Sequence, residues 1–144
     1  MSILITIFSL LSCSGQTDKN NGATKGINQQ VTEPIKDYKN RLVHKNLTEE
    51  IIDSTSDDDL LQVIFDNLTT RLPDDYSKEY KAVMRWNKAQ QAIYMTWLLE
   101  GEVNNGGYNQ FYANSSGQFY KHLPEALKLI GANKLANLTQ QWIL

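Results

Sequence analysis

The fold is decided by residues 102–117, which have the sequence EVNNGGYNQFYANSSG. A helical pattern comes before this stretch, two adjacent glycines interrupt it, and three aromatic side chains follow at positions i, i+3 and i+4. Glycine adopts positive φ at little steric cost, so the pair predicts a sharp turn between two helical halves. We therefore expect an all-α fold, a single small domain of about five helices around a Gly-Gly turn.

Polar side chains around this turn are expected to satisfy backbone groups that an interrupted helix leaves unpaired. Glu102, at the predicted helix end, is expected to bond backbone amides of the turn. This predicted structural turn motif consists of Glu102, Asn104, Asn105, Gly106, Gly107, Tyr108, Gln110, Phe111, Asn114, Ser115 and Gly117.

The helix ahead of this region is predicted from its cap. Ser56 with Asp59 three residues later resembles a capping box, and adjacent aspartates place negative charge on the positive end of the helix dipole. One apolar face then continues until Leu72-Pro73 ends the pattern.

Gly131 occupies the position of a left-handed C-cap after a later helix. The other predicted helical ranges are 77–101, with a break near Trp86-Asn87, 124–130 and 133–144.

The N-terminus resembles a bacterial lipoprotein signal. Residues 3–11 form an apolar run too short to span a bilayer, and the run is followed by Ser12 and Cys13. Cys13 is then the lipidated residue. A plain secretory signal or a cytosolic helix are the alternatives, while a disulfide within the chain is excluded because Cys13 is the only cysteine.

Composition then divides the rest of the chain. Residues 14–45 are polar with almost no apolar periodicity, which predicts a flexible tether, and residues 46–144 are predicted to form the helical domain. With 144 residues, 41% of them hydrophobic, the chain can bury one modest core. Its net charge of −2 argues against direct binding of nucleic acid, which normally requires a basic surface.

The charge is unevenly distributed along the domain. Residues 46–75 hold nine acids against Arg71, giving −8, whereas residues 76–99 hold four basic residues against one acid, giving +3. The acidic region at 46–75 is either a solvated face, matched to helix dipoles and paired with the basic region at 76–99, or a docking face for a basic partner. The nine acids of this candidate binding face are Glu49, Glu50, Asp53, Asp57, Asp58, Asp59, Asp66, Asp74 and Asp75.

Catalytic chemistry has one candidate. Glu100 and Glu102 could form a general acid/base pair with His122 if the turn folds the chain back, but a structural Glu102 and a surface His122 are favoured. We predict no metal site, because the two histidines and the cysteine show no ligand spacing, and no cofactor.

Residues 102–117, followed by Ala126-Leu127 and Ile130-Gly131-Ala132, resemble a bacterial family named after a DNA-mimic protein. The resemblance covers about residues 56–144. It implies an all-helical domain with no established enzymatic activity, and in the family a founding member is thought to imitate the charge of DNA toward a DNA-binding protein. The net charge of −2 is milder than a whole-protein mimic would need.

Together these patterns predict a non-catalytic protein-interaction module, lipid-anchored to a bacterial envelope membrane, whose acidic face binds a protein with a basic surface. One alternative is a cytoplasmic DNA mimic that sequesters a DNA-binding protein. A second alternative is an enzyme that uses Glu102 and His122.

Overall fold

The computed structural model describes residue 36 and residues 38–141, and these residues form helices with no strand among them. The all-α prediction is confirmed. The predicted signal peptide at 1–13, most of the predicted tether and residues 142–144 lie outside the described residues.

The helices follow one another with short connections. Two 3₁₀ turns, Tyr76–Lys78 and Ser115–Phe119, lie on either side of the longest helix. From residue 49 onward the α-helices are α1 Glu49–Ser54, α2 Asp57–Thr69, α3 Glu79–Val83, α4 Lys88–Ala113, α5 Leu123–Leu129 and α6 Asn133–Gln140.

The predicted cap of α2 is confirmed. The Ser56 hydroxyl accepts a bond from the Asp59 amide at 3.3 Å and donates to the Asp59 carboxylate at 2.7 Å. The helix ends at Thr69, earlier than the predicted end at Leu72-Pro73, because the chain turns through 3₁₀-type bonds such as Arg71 N to Leu68 O at 3.1 Å.

Helix α4 begins after a break at the predicted position. The Asn87 side chain accepts from the Gln90 amide at 2.9 Å, and the Gln90 side chain accepts from the Asn87 amide at 3.4 Å, which completes a capping box. The predicted helix end at Gly101 is wrong, because α4 continues past it. One exposed glycine costs a helix only about 1 kcal/mol relative to alanine, and core packing on both sides outweighs this cost.

The predicted turn lies within α4 as a kink. Gly106 has φ −153° and ψ 16°, and Gly107 has φ 76° and ψ −174°, so neither is helical and Gly107 is in the left-handed region. Helical structure then resumes and places Phe111, only 1% exposed, in the core. The Gly-Gly pair therefore redirects the chain without ending its helical course.

Helix α4 is the centre of the fold. It packs against α2, α5 and the second 3₁₀ turn, and α6 packs against α5. The core that these elements share is formed by Leu68, Val83, Ala92, Tyr94, Met95, Leu99, Phe111, Phe119, Leu123, Ala126, Leu127 and Ala136.

Aromatic stacking fixes α2 on α4, and a buried hydrogen bond fixes α3 on α4. Phe65 stacks on Trp97 with ring centroids 4.6 Å apart and on Tyr94 at 5.6 Å. The Tyr94 hydroxyl donates to the buried Glu79 carboxylate at 2.7 Å. The pKa of Tyr94 is raised, mainly because the hydroxyl is buried and secondly because of this bond. Glu79 is thus occupied inside the fold rather than exposed.

The end of the predicted tether is attached to α2. Arg41 donates two bonds to Asp66, from Nε at 2.5 Å and from Nη2 at 2.7 Å. The Asn67 side chain donates to the carbonyls of His44 and Lys45 at 2.8 and 2.9 Å. Residues 41–45, at the end of the predicted tether, therefore contact helix α2 of the helical domain.

We predict that three glycines respond differently to alanine. Gly107→Ala should cost about 1 kcal/mol, because φ is 76°. Gly117→Ala should cost about 1–3 kcal/mol, because its new Cβ would lie 2.8 Å from the Tyr112 carbonyl oxygen. Gly101→Ala is the matched control: nothing lies within 4 Å, so it should stabilise the helix by up to about 1 kcal/mol. Urea unfolding measures all three, and equal midpoints would contradict the assignment of the turn.

Candidate functional site

The acidic segment, defined here as residues 49–59, has exposed acids that form no salt bridge with the described residues. Its six acids all have exposed side chains, and the segment contains no lysine or arginine. In the described part of the chain, salt bridges join Arg41 to Asp66, Lys78 to Asp75 and Lys88 to Glu125, and none reaches these six. The acids are Glu49, Glu50, Asp53, Asp57, Asp58 and Asp59.

Asp66 does not belong to this exposed set, which corrects the predicted face. It is 3% exposed, and besides Arg41 it accepts a bond from the Gln62 side chain at 2.8 Å. The bond to Asp66 is the main cause of the raised pKa of Arg41, against an opposing effect of burial. The charge of Asp66 is therefore neutralised within the fold.

The last two predicted acids differ from each other. Asp74 is exposed. Asp75 caps the first 3₁₀ turn, accepting from the Ser77 amide at 3.0 Å and from the Ser77 hydroxyl at 2.7 Å. The pKa of Asp75 is lowered, mainly by the bond from the Ser77 hydroxyl and secondly by the bond from Lys78. Asp75 thus stabilises a local turn.

Glu102 holds the kink in α4 together. Its Oε2 accepts from the side-chain amides of Gln110 at 2.6 Å and Asn114 at 2.8 Å, and its Oε1 accepts from the Ser116 hydroxyl at 3.0 Å. Partial burial acts to raise the pKa of Glu102, but these three bonds outweigh it and the pKa is lowered. The predicted backbone-amide partners are wrong, since the partners are side chains.

Ser116 was not among the predicted turn residues. It is only 3% exposed, and its hydroxyl also lies 3.2 Å from the Phe111 carbonyl oxygen. Two serines are adjacent in the sequence, and nothing local distinguishes the one that faces inward. The 3₁₀ turn at Ser115–Phe119 determines which serine faces inward, because it orients Ser116 toward Glu102.

His122 has a different partner from Glu102. Its Nε2 lies 2.9 Å from the Tyr80 hydroxyl, whereas Glu102 is bonded to residues of its own kinked helix and the following turn. The structure therefore does not join these two groups in one hydrogen-bonded pair. Within residue 36 and residues 38–141, no group of three or more His, Cys, Asp or Glu is placed to hold a metal ion.

No helix in the described part of the chain is long and apolar enough to cross a bilayer.

We predict that Glu102→Gln lowers stability in a pH-dependent way. The folded state holds the pKa of Glu102 below its ordinary value of 4.5, so the carboxylate bonds stabilise the fold at neutral pH. This contribution is lost as pH falls from about 4.5 through the lower folded value. The urea midpoint of Glu102→Gln should therefore lie below the parent's at pH 7, and the gap should narrow in acid. Glu100→Gln, at an exposed position, should match the parent at pH 7; a constant gap at all pH values for Glu102→Gln would refute the role of its charge.

Comparison with known proteins shows a similarity to a family over part of the chain. Residues 84–143 match the family model described as DMP19-like protein, which confirms the resemblance to the DNA-mimic family over that range. The match covers α4 with its kink, α5 and α6, and it is narrower than the predicted range 56–144. The acidic segment lies outside it. No curated protein and no solved structure matches the chain.

Proposed function

We propose, on the premise that residues 84–143 are a DMP19-like region, that this chain is a non-catalytic protein-interaction module of the DNA-mimic kind. Its acidic segment docks on the basic surface of a partner, and the family match favours a DNA-binding protein as that partner. The observation that carries the proposal is the set of six exposed acids at 49–59 that no described cation neutralises.

The density of charge supports this role. Six acids lie within eleven residues, three of them on α1 and three in the first turn of α2. Thr55 and Ser56 between the two helices have extended backbones, so the charges belong to two helices and not to one continuous helix. The segment therefore offers a basic partner two clusters of negative charge that are adjacent along the chain.

A nearly neutral net charge is compatible with such a patch. Exposed charges act over about 8 Å at physiological ionic strength, so a partner at the segment experiences the local acids more than distant lysines. A field of this kind raises the rate of encounter and selects basic partners.

Interaction with helix dipoles explains the positions of five of the six acids in the acidic segment, but not that of Asp53. Glu49, Glu50 and the three aspartates at 57–59 lie in first turns, where negative charge is favourable. Asp53 lies near the C-terminal end of α1, where the dipole disfavours an acid. No salt bridge in the described part of the chain joins Asp53 to the basic residues at 76–99, of which Lys78 bonds Asp75 and Lys88 bonds Glu125. A partner outside the chain gives this charge a role.

The second candidate is the same acidic module at the cell envelope. The apolar run at 3–11 followed by Cys13 favours it, since a lipid-anchored protein outside the cytoplasm would meet a basic envelope protein rather than a transcription factor. The two candidates therefore differ in compartment, and with it in partner: a DNA-binding protein in the cytoplasm or a basic protein at the envelope.

We predict that removal of two acids weakens binding. Asp57→Asn with Asp58→Asn keeps size and removes two charges, so the partner captured by the full-length parent from cell extract should bind this variant roughly tenfold more weakly at low salt. The difference should shrink at high salt because of screening. Titration of the purified partner by calorimetry measures both effects.

The matched control removes two exposed charges elsewhere, Glu100→Gln with Glu125→Gln, and should bind like the parent. Duplex DNA should compete for the partner if it is a DNA-binding protein. Equal affinity of parent and Asp57→Asn/Asp58→Asn at all salt concentrations would refute the acidic segment as the docking site, and binding without competition by DNA would favour the envelope candidate.

We predict that Cys13 carries lipid if the envelope candidate is correct. Mass spectrometry of the mature N-terminus from cells should then show a diacylglyceryl adduct that is absent in Cys13→Ala. An intact Met1 N-terminus, with the protein in the soluble fraction, would contradict the anchor and favour the cytoplasmic DNA mimic.

A further inference from the structure

The turn between α5 and α6 exposes two large aliphatic side chains. Leu129 is 56% exposed and Ile130 is 50% exposed. Lys128 precedes them, Lys134 follows them in the first turn of α6, and both lysines are exposed. An apolar tip with a cation on each side is therefore presented to the surroundings.

This tip is held rigidly. The Ala132 amide bonds the Leu127 carbonyl at 2.8 Å and the Gly131 amide bonds the Lys128 carbonyl at 3.0 Å, which is a Schellman motif. Leu127 and Ala136, on either side of the turn, are 2% and 0% exposed. The exposure of the tip is thus a property of a well-packed corner and not of a frayed helix end.

A groove adjoins the tip between α4 and α5. It has a volume of about 380 Å³, with an apolar floor that includes Ala92, Met95 and Ala126. Lys88, Lys128 and His122 lie on its lining, together with Glu125, which is bonded to Lys88 at 3.1 Å. The groove therefore combines apolar side chains with Lys128, which also belongs to the tip, while the charge of Lys88 is paired with that of Glu125.

We propose that this corner, defined as Leu129, Ile130, Lys128, Lys134 and the adjoining groove, binds the surface of an anionic phospholipid membrane. Leu129 and Ile130 enter the interfacial region, while the lysine stems lie along it and their ammonium groups contact lipid phosphates. The charge of the corner is opposite to that of such a membrane, and each lysine near the surface contributes about fivefold in affinity.

A membrane fits this corner better than a protein does. Protein interfaces are enriched in aromatic residues and arginine and depleted in lysine, and leucine is under-represented among their hot spots. The tip offers only aliphatic side chains and lysines. The binding is independent of a lipid on Cys13, since the corner consists of side chains of α4, α5, α6 and the turn between the last two.

The experiment uses the full chain with Cys13→Ser, which leaves the chain without cysteine so that Ile130→Cys can carry a polarity-sensitive fluorophore. We expect its emission to shift to the blue with vesicles of phosphatidylglycerol and phosphatidylcholine, and not with phosphatidylcholine alone. The matched control carries the same fluorophore at Glu50→Cys, on exposed α1, and should not respond.

Adding Lys128→Gln and Lys134→Gln to the labelled protein should weaken vesicle binding at least roughly tenfold. An equal response at positions 130 and 50 would mean that the apolar run at 3–11 alone brings the protein to the vesicle, and would overturn the proposal. No response at position 130, or an unchanged affinity without the two lysines, would also overturn it.

Discussion

The fold depends on one carboxylate that accepts hydrogen bonds across a break in its own helix. Glu102 lies before the two non-helical glycines, and Gln110, Asn114 and Ser116 lie after them. A kink without such a link could open at two flexible residues. Because the acceptor is ionised, each of its bonds is stronger than a neutral one, and three of them fix the angle between the two parts of α4.

The fixed angle determines what reaches the core. The helical part after the kink places Phe111 inside, and the close approach of Gly117 to the Phe111 and Tyr112 carbonyls lets the chain turn back directly. Phe119 then lies at 0% exposure, and α5 packs on α4. The corner between α5 and α6 is presented by elements that this packing orients.

The acids of the chain are divided between structure and surface. Glu102 stabilises the kink, Glu79 accepts from Tyr94, and Asp66 holds the segment around Arg41 on α2. These three lie inside the fold or partly so, and each has a specific donor. Among the described residues, the acids at 49–59 form no salt bridge, so this short segment carries a local negative charge that the net charge of −2 does not reveal.

Features that depend on neighbours along the chain could be predicted from the sequence. Ser56 was predicted as a helix start, Trp86-Asn87 as a break, Gly106-Gly107 as a turn and Gly131 as a C-cap, because capping and positive φ are decided within a few residues. Which acids stay exposed and which polar side chains meet follows from the packing of the helices. Asp66 is neutralised by a residue 25 positions away, and Ser116 faces Glu102 only because the kink and the following 3₁₀ turn bring them together. Pattern along the chain does not encode such pairings, since they depend on how the helices pack.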